Sequence, residues 1–164
     1  MRKLIGVVAS VSLVSGLVAC GSEPAAPVDT SPEAPQGISV TDGRMNLPAV
    51  AGSPGAVYFT LVNDSGKDAA IVGAWVDGAS NAEIHGPMSE HHAMAAIESL
   101  HIGPESELVF QPGKYHVMAF DIDPSLQVGG ETEVTLTFDS GDKVSFPARL
   151  LATGDDGSNM EMGE

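Results

Sequence analysis

The sequence predicts an all-β domain, a sandwich or barrel of many short strands. Three observations point that way. Apolar and β-branched runs of four to nine residues recur along the chain, separated by turn residues such as Gly, Pro, Asn, Asp and Ser. No segment carries a long apolar repeat of helical period, apart from one turn of helix expected around 90–96. With 19 Gly and 11 Pro in 164 residues, the composition favours short elements joined by turns.

Residues 1–20 come first and read as a leader. Arg2 and Lys3 precede an apolar run over 4–18, which is too short for a comfortable helical membrane span of about 20 residues. The run ends in Leu17-Val18-Ala19-Cys20, which resembles a bacterial lipoprotein cleavage box. That resemblance implies cleavage before Cys20 and a lipid anchor on it, holding the protein at the outer side of a bacterial membrane, at the cell surface or in the periplasm. Residues 21–37 are rich in Pro, Ala, Ser and acidic side chains. They bury little apolar area and read as a flexible tether.

The folded domain is expected over 38–152. Its strands are expected at 37–45, 56–62, 69–76, 82–85, a short segment within 93–102, 107–110, 114–120, 132–138 and 144–150. Asn63-Asp64-Ser65-Gly66 is a hairpin-type turn signal, and Asp139-Ser140-Gly141-Asp142 is a second turn. In 132–138 the alternation is clean, with Val134, Leu136 and Phe138 on one face and Thr135 and Thr137 on the other. Residues 153–164 read as a disordered acidic tail containing Met160 and Met162.

Charge and cysteine content exclude several functions. The net charge is −15, and with the leader removed 5 basic residues face 22 acidic ones. Nucleic-acid binding needs a basic footprint that is absent here. Cys20 is the single cysteine, so no intramolecular disulfide, CxxC pair or four-cysteine zinc site can form. Neither a nucleophile elbow nor an HExxH pattern occurs, so no enzyme activity is expected.

The chemistry-bearing residues are concentrated in one window. All five histidines (His85, His91, His92, His101 and His116) lie within it, as do Met88, Met94 and Met118. On a strand over 114–120, His116 and Met118 project to one face and Val117 to the other. His85 ends a short strand before Gly86-Pro87, where loops on a rigid scaffold carry function. Met94 lies in a polar stretch where a core methionine is not expected. His101 alternates with Leu100 and Ile102 and is expected to face solvent. His91 and His92 read as exposed loop residues and, with Met88, as auxiliary donors. Two imidazoles and two thioethers are neutral, and thioether sulfur is soft, so the set favours Cu(I) over hard divalent ions. Blue-copper electron transfer uses a Cys thiolate, which this domain lacks apart from Cys20. Protons compete with copper for imidazole, so affinity is expected to fall below about pH 6.5.

The spacing and surrounding residues resemble the periplasmic copper chaperone family written PCuAC. Twenty-one residues separate Met94 from His116-Val117-Met118, as in the family motif. Pro112-Gly113-Lys114-Tyr115-His116-Val117-Met118 is similar to the family's PGGYHIM segment. The stretch from Gly55 to Leu61, with Asn63, is similar to its GAAYLTLxN strand, and Ala82-Glu83-Ile84-His85 to its VELH. The resemblance covers about residues 40–150. It implies a cupredoxin-like Greek-key β-sandwich or barrel, with His85, Met94, His116 and Met118 as Cu(I) ligands. It further implies delivery of copper to the CuA site of cytochrome c oxidase, alongside Sco-type proteins. The chain departs from the pattern in two ways. The interval from His85 to Met94 is about two residues short, and the first position reads His85-Gly86-Pro87-Met88. Met88 and Met94 are therefore alternatives for the third ligand. A metal-free structural or adhesive lipoprotein, or a copper storage or resistance protein, is the alternative function.

Overall fold

The computed structural model describes residues 35, 37–87 and 93–156, all within the unit 31–164. The leader with Cys20, most of the tether, Met88, His91, His92, Met160 and Met162 lie outside the described residues. Among the described residues, no helix is long and apolar enough to cross a membrane.

Ten strands follow in chain order: β1 (Ile38–Asn46), β2 (Gly55–Asn63), β3 (Ala69–Val76), β4 (Asn81–Pro87), β5 (Met94–Ala96), β6 (Leu100–Ile102), β7 (Ser106–Phe110), β8 (His116–Phe120), β9 (Glu131–Phe138) and β10 (Lys143–Leu151). They form one hydrogen-bonded sheet in the order β5-β4-β8-β2-β1-β10-β9-β3-β6, with β7 also pairing β2. β1 and β10 run parallel, and the other pairings are antiparallel. The fold class is therefore the all-β one read from the sequence. The sheet curls over one core. Phe59 of β2 stacks on Phe110 of β7 at 4.0 Å and meets Phe146 of β10 at 4.9 Å, although β1 lies between β2 and β10 in the sheet.

Alternation builds that core. In β2, Val57, Phe59 and Leu61 are buried while Tyr58 and Thr60 are half-buried on the other face. In β9, Val134, Leu136 and Phe138 point inward, as the pattern predicts. β9 and β10 form a hairpin closed at Gly141, whose φ of 89° suits a residue without Cβ. Pro147 lies within β10 but outside its short parallel pairing with β1, which involves Arg149, Leu150 and Leu151. A residue lacking an N–H is tolerated at such a place.

Two expectations are corrected. The turn after β2 does not make a hairpin, because β3 pairs with β9 and β6 rather than with β2. The fully buried Asn63 redirects the chain there. Its Nδ2 donates to the carbonyls of Lys67 at 2.7 Å and Gly103 at 2.9 Å, and its Oδ1 accepts from the Ser65 hydroxyl at 2.6 Å. The helical turn expected around 90–96 is replaced, over its described part, by strand β5. The free edge of β4 satisfies that backbone in an extended form, pairing Pro87 with Met94 and His85 with Ala96. The segment expected within 93–102 is thus two strands, β5 on β4 and β6 on β3.

Candidate metal centre

The candidate donors share the outer face of the sheet, where His85 and His116 meet. In β8, Val117 and Ala119 are fully buried, so His116 and Met118 project away from the core. In β4, Ile84 is buried, so Glu83, His85 and Pro87 take the outer face. The antiparallel register pairs His85 with His116 and Glu83 with Met118. The two imidazole centroids are 5.7 Å apart, with their planes at 43°. A metal–nitrogen bond is about 2 Å long and the nitrogen lies about 1 Å from its ring centre, so two imidazoles on one ion hold their centroids up to about 6 Å apart. The observed pair fits that limit.

Met94 opens β5 on the far side of β4. Its partner is Pro87, so it shares the outer face with His85, and it is 36% exposed. The topology therefore brings His85, Met94, His116 and Met118 to one face of three adjacent strands, β5, β4 and β8. His101 is exposed on β6 at the other end of the sheet, between the buried Leu100 and Ile102, and has no place at this site. Among the described residues, no three His, Cys, Asp or Glu side chains group closely enough to hold a metal ion by themselves. The other candidate donors on this face are Met94 and Met118.

Gly86 explains how β4 can lie so close to its surroundings. A Cβ built there would come within 2.5 Å of Ile97 Cδ1 and 2.6 Å of Tyr115 Cδ1. Only glycine allows that approach beside His85.

Three further side chains belong to the face. Tyr58 of β2 lies 6.3 Å from His116, ring centre to ring centre. Arg44 is its partner on β1 and sets its guanidinium 5.2 Å from the Tyr58 ring centre, within range of a cation–π contact. Burial raises the Tyr58 hydroxyl above its ordinary value of 10.0, and the Arg44 charge opposes that rise. Glu83 reaches His85, its Oε2 being 3.2 Å from Nε2. His116 is held by the Lys114 carbonyl, which accepts from Nδ1 at 3.0 Å. The i, i+2 spacing of Glu83 and His85 is legible in sequence, whereas the roles of Tyr58 and Arg44 depend on strand pairing. A cleft of about 300 Å³, lined by Arg44, Asn46, Ala56, Tyr58 and Pro112 among others, runs beside the site. The four candidate donors are not part of that cleft and lie on the open sheet face.

Residues 38–150 match the LpqE-like family. The chain belongs to the LpqE-like family. A curated relative, an uncharacterized protein of Rickettsia prowazekii, is 29% identical to this LpqE-like chain over 90 residues, covering 53% of the chain and 50% of that protein. The chain thus spans about half the length of that relative. Among solved structures, the copper-bound PCuAC domain from PmoF2 is similar at a TM-score of 0.62 and 21% identity, covering 74% of this chain and 97% of that one. The solution structure of CuI-DR1885 from Deinococcus radiodurans is similar at a TM-score of 0.58 and 24% identity, covering 73% of this chain and 83% of the other. At these identities the likeness establishes that the LpqE-like domain shares their fold.

Proposed function

We propose that this LpqE-like chain is a non-enzymatic, extracytoplasmic Cu(I)-binding copper chaperone. His85 and His116 are its imidazole donors, Met94 and Met118 its thioether donors, and Cys20 carries its lipid anchor. One observation carries the reading: the β4–β8 register makes His85 and His116 direct neighbours, with Met118 on the same outer face. Two neutral imidazoles with thioether sulfur suit a soft monovalent ion. An open face lets an acceptor approach and take the ion by ligand exchange. The shared fold with the copper-bound PmoF2 domain and with CuI-DR1885 supports copper as the cargo. The resemblance to the PCuAC family supports the CuA site of cytochrome c oxidase as recipient, with Sco-type proteins as co-workers. The lipoprotein in the matched family's description supports the membrane-anchored location.

The test is titration of the protein with Cu(I) against a chromogenic chelator, with His116→Ala alongside. One tight equivalent is expected, weakened at least about 100-fold in the variant, since loss of an outer-shell partner alone costs up to that much. No competition with the chelator would reject the copper reading and leave a metal-free sandwich.

A further inference from the structure

Residues 81, 83 and 85 share one face of β4, and their side chains form a relay. Asn81 Nδ2 donates to Glu83 Oε1 at 3.1 Å, and Glu83 Oε2 lies 3.2 Å from His85 Nε2. A carboxylate has no proton to offer, so His85 Nε2 carries the hydrogen and donates it. A neutral imidazole holds one N–H, which leaves the lone pair on Nδ1. His116 is bonded in the opposite sense. The Lys114 carbonyl can only accept, so His116 Nδ1 carries the hydrogen and the lone pair is on Nε2.

We infer that Glu83 is a positioning residue for the metal: it fixes His85 as the Nε2–H tautomer, so that copper is held by Nδ1 of His85 and Nε2 of His116. The inference rests on the copper reading above for its metal half, and on the metal-free geometry alone for its tautomer half. Its physical content is selection. A half-buried imidazole without a partner divides between two tautomers and several ring orientations, and the metal must then select the competent one. A carboxylate on Nε2 removes that choice and makes the opposite nitrogen a better donor. The carboxylate is itself oriented by Asn81, and the relay needs nothing beyond strand alternation to assemble. Glu83 is the cross-strand partner of Met118, so the acidic group stands beside His85 along β4 and across from Met118 on β8.

Nitrogen-15 NMR of the histidine rings tests this in the full-length protein. Without metal, His85 is expected as Nε2–H and His116 as Nδ1–H. In Glu83→Ala, His85 is expected to become a mixture of tautomers while His116 keeps its own. On adding Cu(I), the signals of His85 Nδ1 and His116 Nε2 are expected to move. Cu(I) affinity is expected to fall 10- to 100-fold in Glu83→Ala, and Glu83→Gln, which keeps an oxygen acceptor, is expected to recover most of it. An unchanged His85 tautomer in Glu83→Ala, or Cu(I) on His85 Nε2, overturns the inference. A wild-type protein that takes no Cu(I) overturns the copper reading, and the metal-free spectra then still decide whether Glu83 sets the tautomer.

Discussion

His85 of β4 and His116 of β8 are cross-strand partners, their ring centres 5.7 Å apart on the outer face of the sheet. The strands supply this proximity through a long-range pairing. The core face of the same strands, Ile84 and Val117, is buried and paired in the same register. A one-residue slip would turn the imidazoles inward and the core residues outward, so hydrophobic burial of one face enforces the imidazole pairing of the other.

The two methionines are expected to contribute unequally. Met118 follows His116 on the same strand face, whereas Met94 is exposed on a three-residue edge strand. Met118→Leu conserves volume and is expected to cost under about 1.5 kcal/mol of stability. It is expected to weaken Cu(I) binding by more than about tenfold, because even outer-shell losses cost that much. Met94→Leu is expected to weaken it less, and chelator competition on both variants checks the order. Unchanged affinity in Met118→Leu would remove thioether sulfur from the site.

Gly86→Ala is expected to disturb the site from beneath. The added methyl would lie 2.5 Å from Ile97 Cδ1 and 2.6 Å from Tyr115 Cδ1, and overpacking of this kind costs roughly 1–3 kcal/mol. Thermal melts should show the loss, and the His85 ring signals should shift because the neighbouring strand residue moves. An unaltered melting temperature would mean that Ile97 and Tyr115 yield freely.

Tyr58 gives an alkaline signature. Its folded-state hydroxyl is raised by burial above 10.0, so the folded chain holds that proton more tightly than the unfolded chain does. Its contribution to stability is therefore complete below the unfolded value and is lost as pH rises through the folded one. Tyr58→Phe keeps the ring against Arg44 and His116 and removes the titration. Wild type is expected to lose melting temperature above about pH 10 more steeply than this variant. Equal alkaline slopes would refute the effect, and phenolate absorbance in the near ultraviolet provides the parallel check.

Asn63 is expected to be structural and not metal-linked. Asn63→Ala would strip partners from the Lys67 and Gly103 carbonyls and from the Ser65 hydroxyl. Orphaned polar groups cost about 1–3 kcal/mol, and denaturant unfolding should register a loss of that order. Copper affinity of the folded variant is expected to match wild type, since Asn63 lies at the opposite end of β2 from the Met118 partner Ala56. A matching loss of affinity would show that the turn and the site are coupled.

Local chemistry made much of this legible in the chain. Alternation placed the strands β2, β9 and β10 to within a residue or two and put His116 and Met118 on one face, because side-chain direction along a strand has a period of two. The type of donor, imidazole and thioether without thiolate, needed only the sequence. The turn at Asn63 was misread because Asn-Asp-Ser-Gly signals a reversal without saying which strand comes next. The division of the 93–102 segment into β5 and β6 was not legible because three residues carry too little pattern, and the strand state of β5 depends on the free edge of β4.

The sequence by itself thus determined the strand-rich class, the shared direction of His116 and Met118, and the soft character of the available donors. The tertiary structure alone decided that β4 lies between β5 and β8, that His85 meets His116, that Glu83 faces Met118, and that Arg44 covers Tyr58. The physical reason is that a strand's periodicity specifies which face each side chain takes but not which neighbour it meets. Neighbours and register follow from burying the whole core at once, a property of the folded chain and not of any one segment.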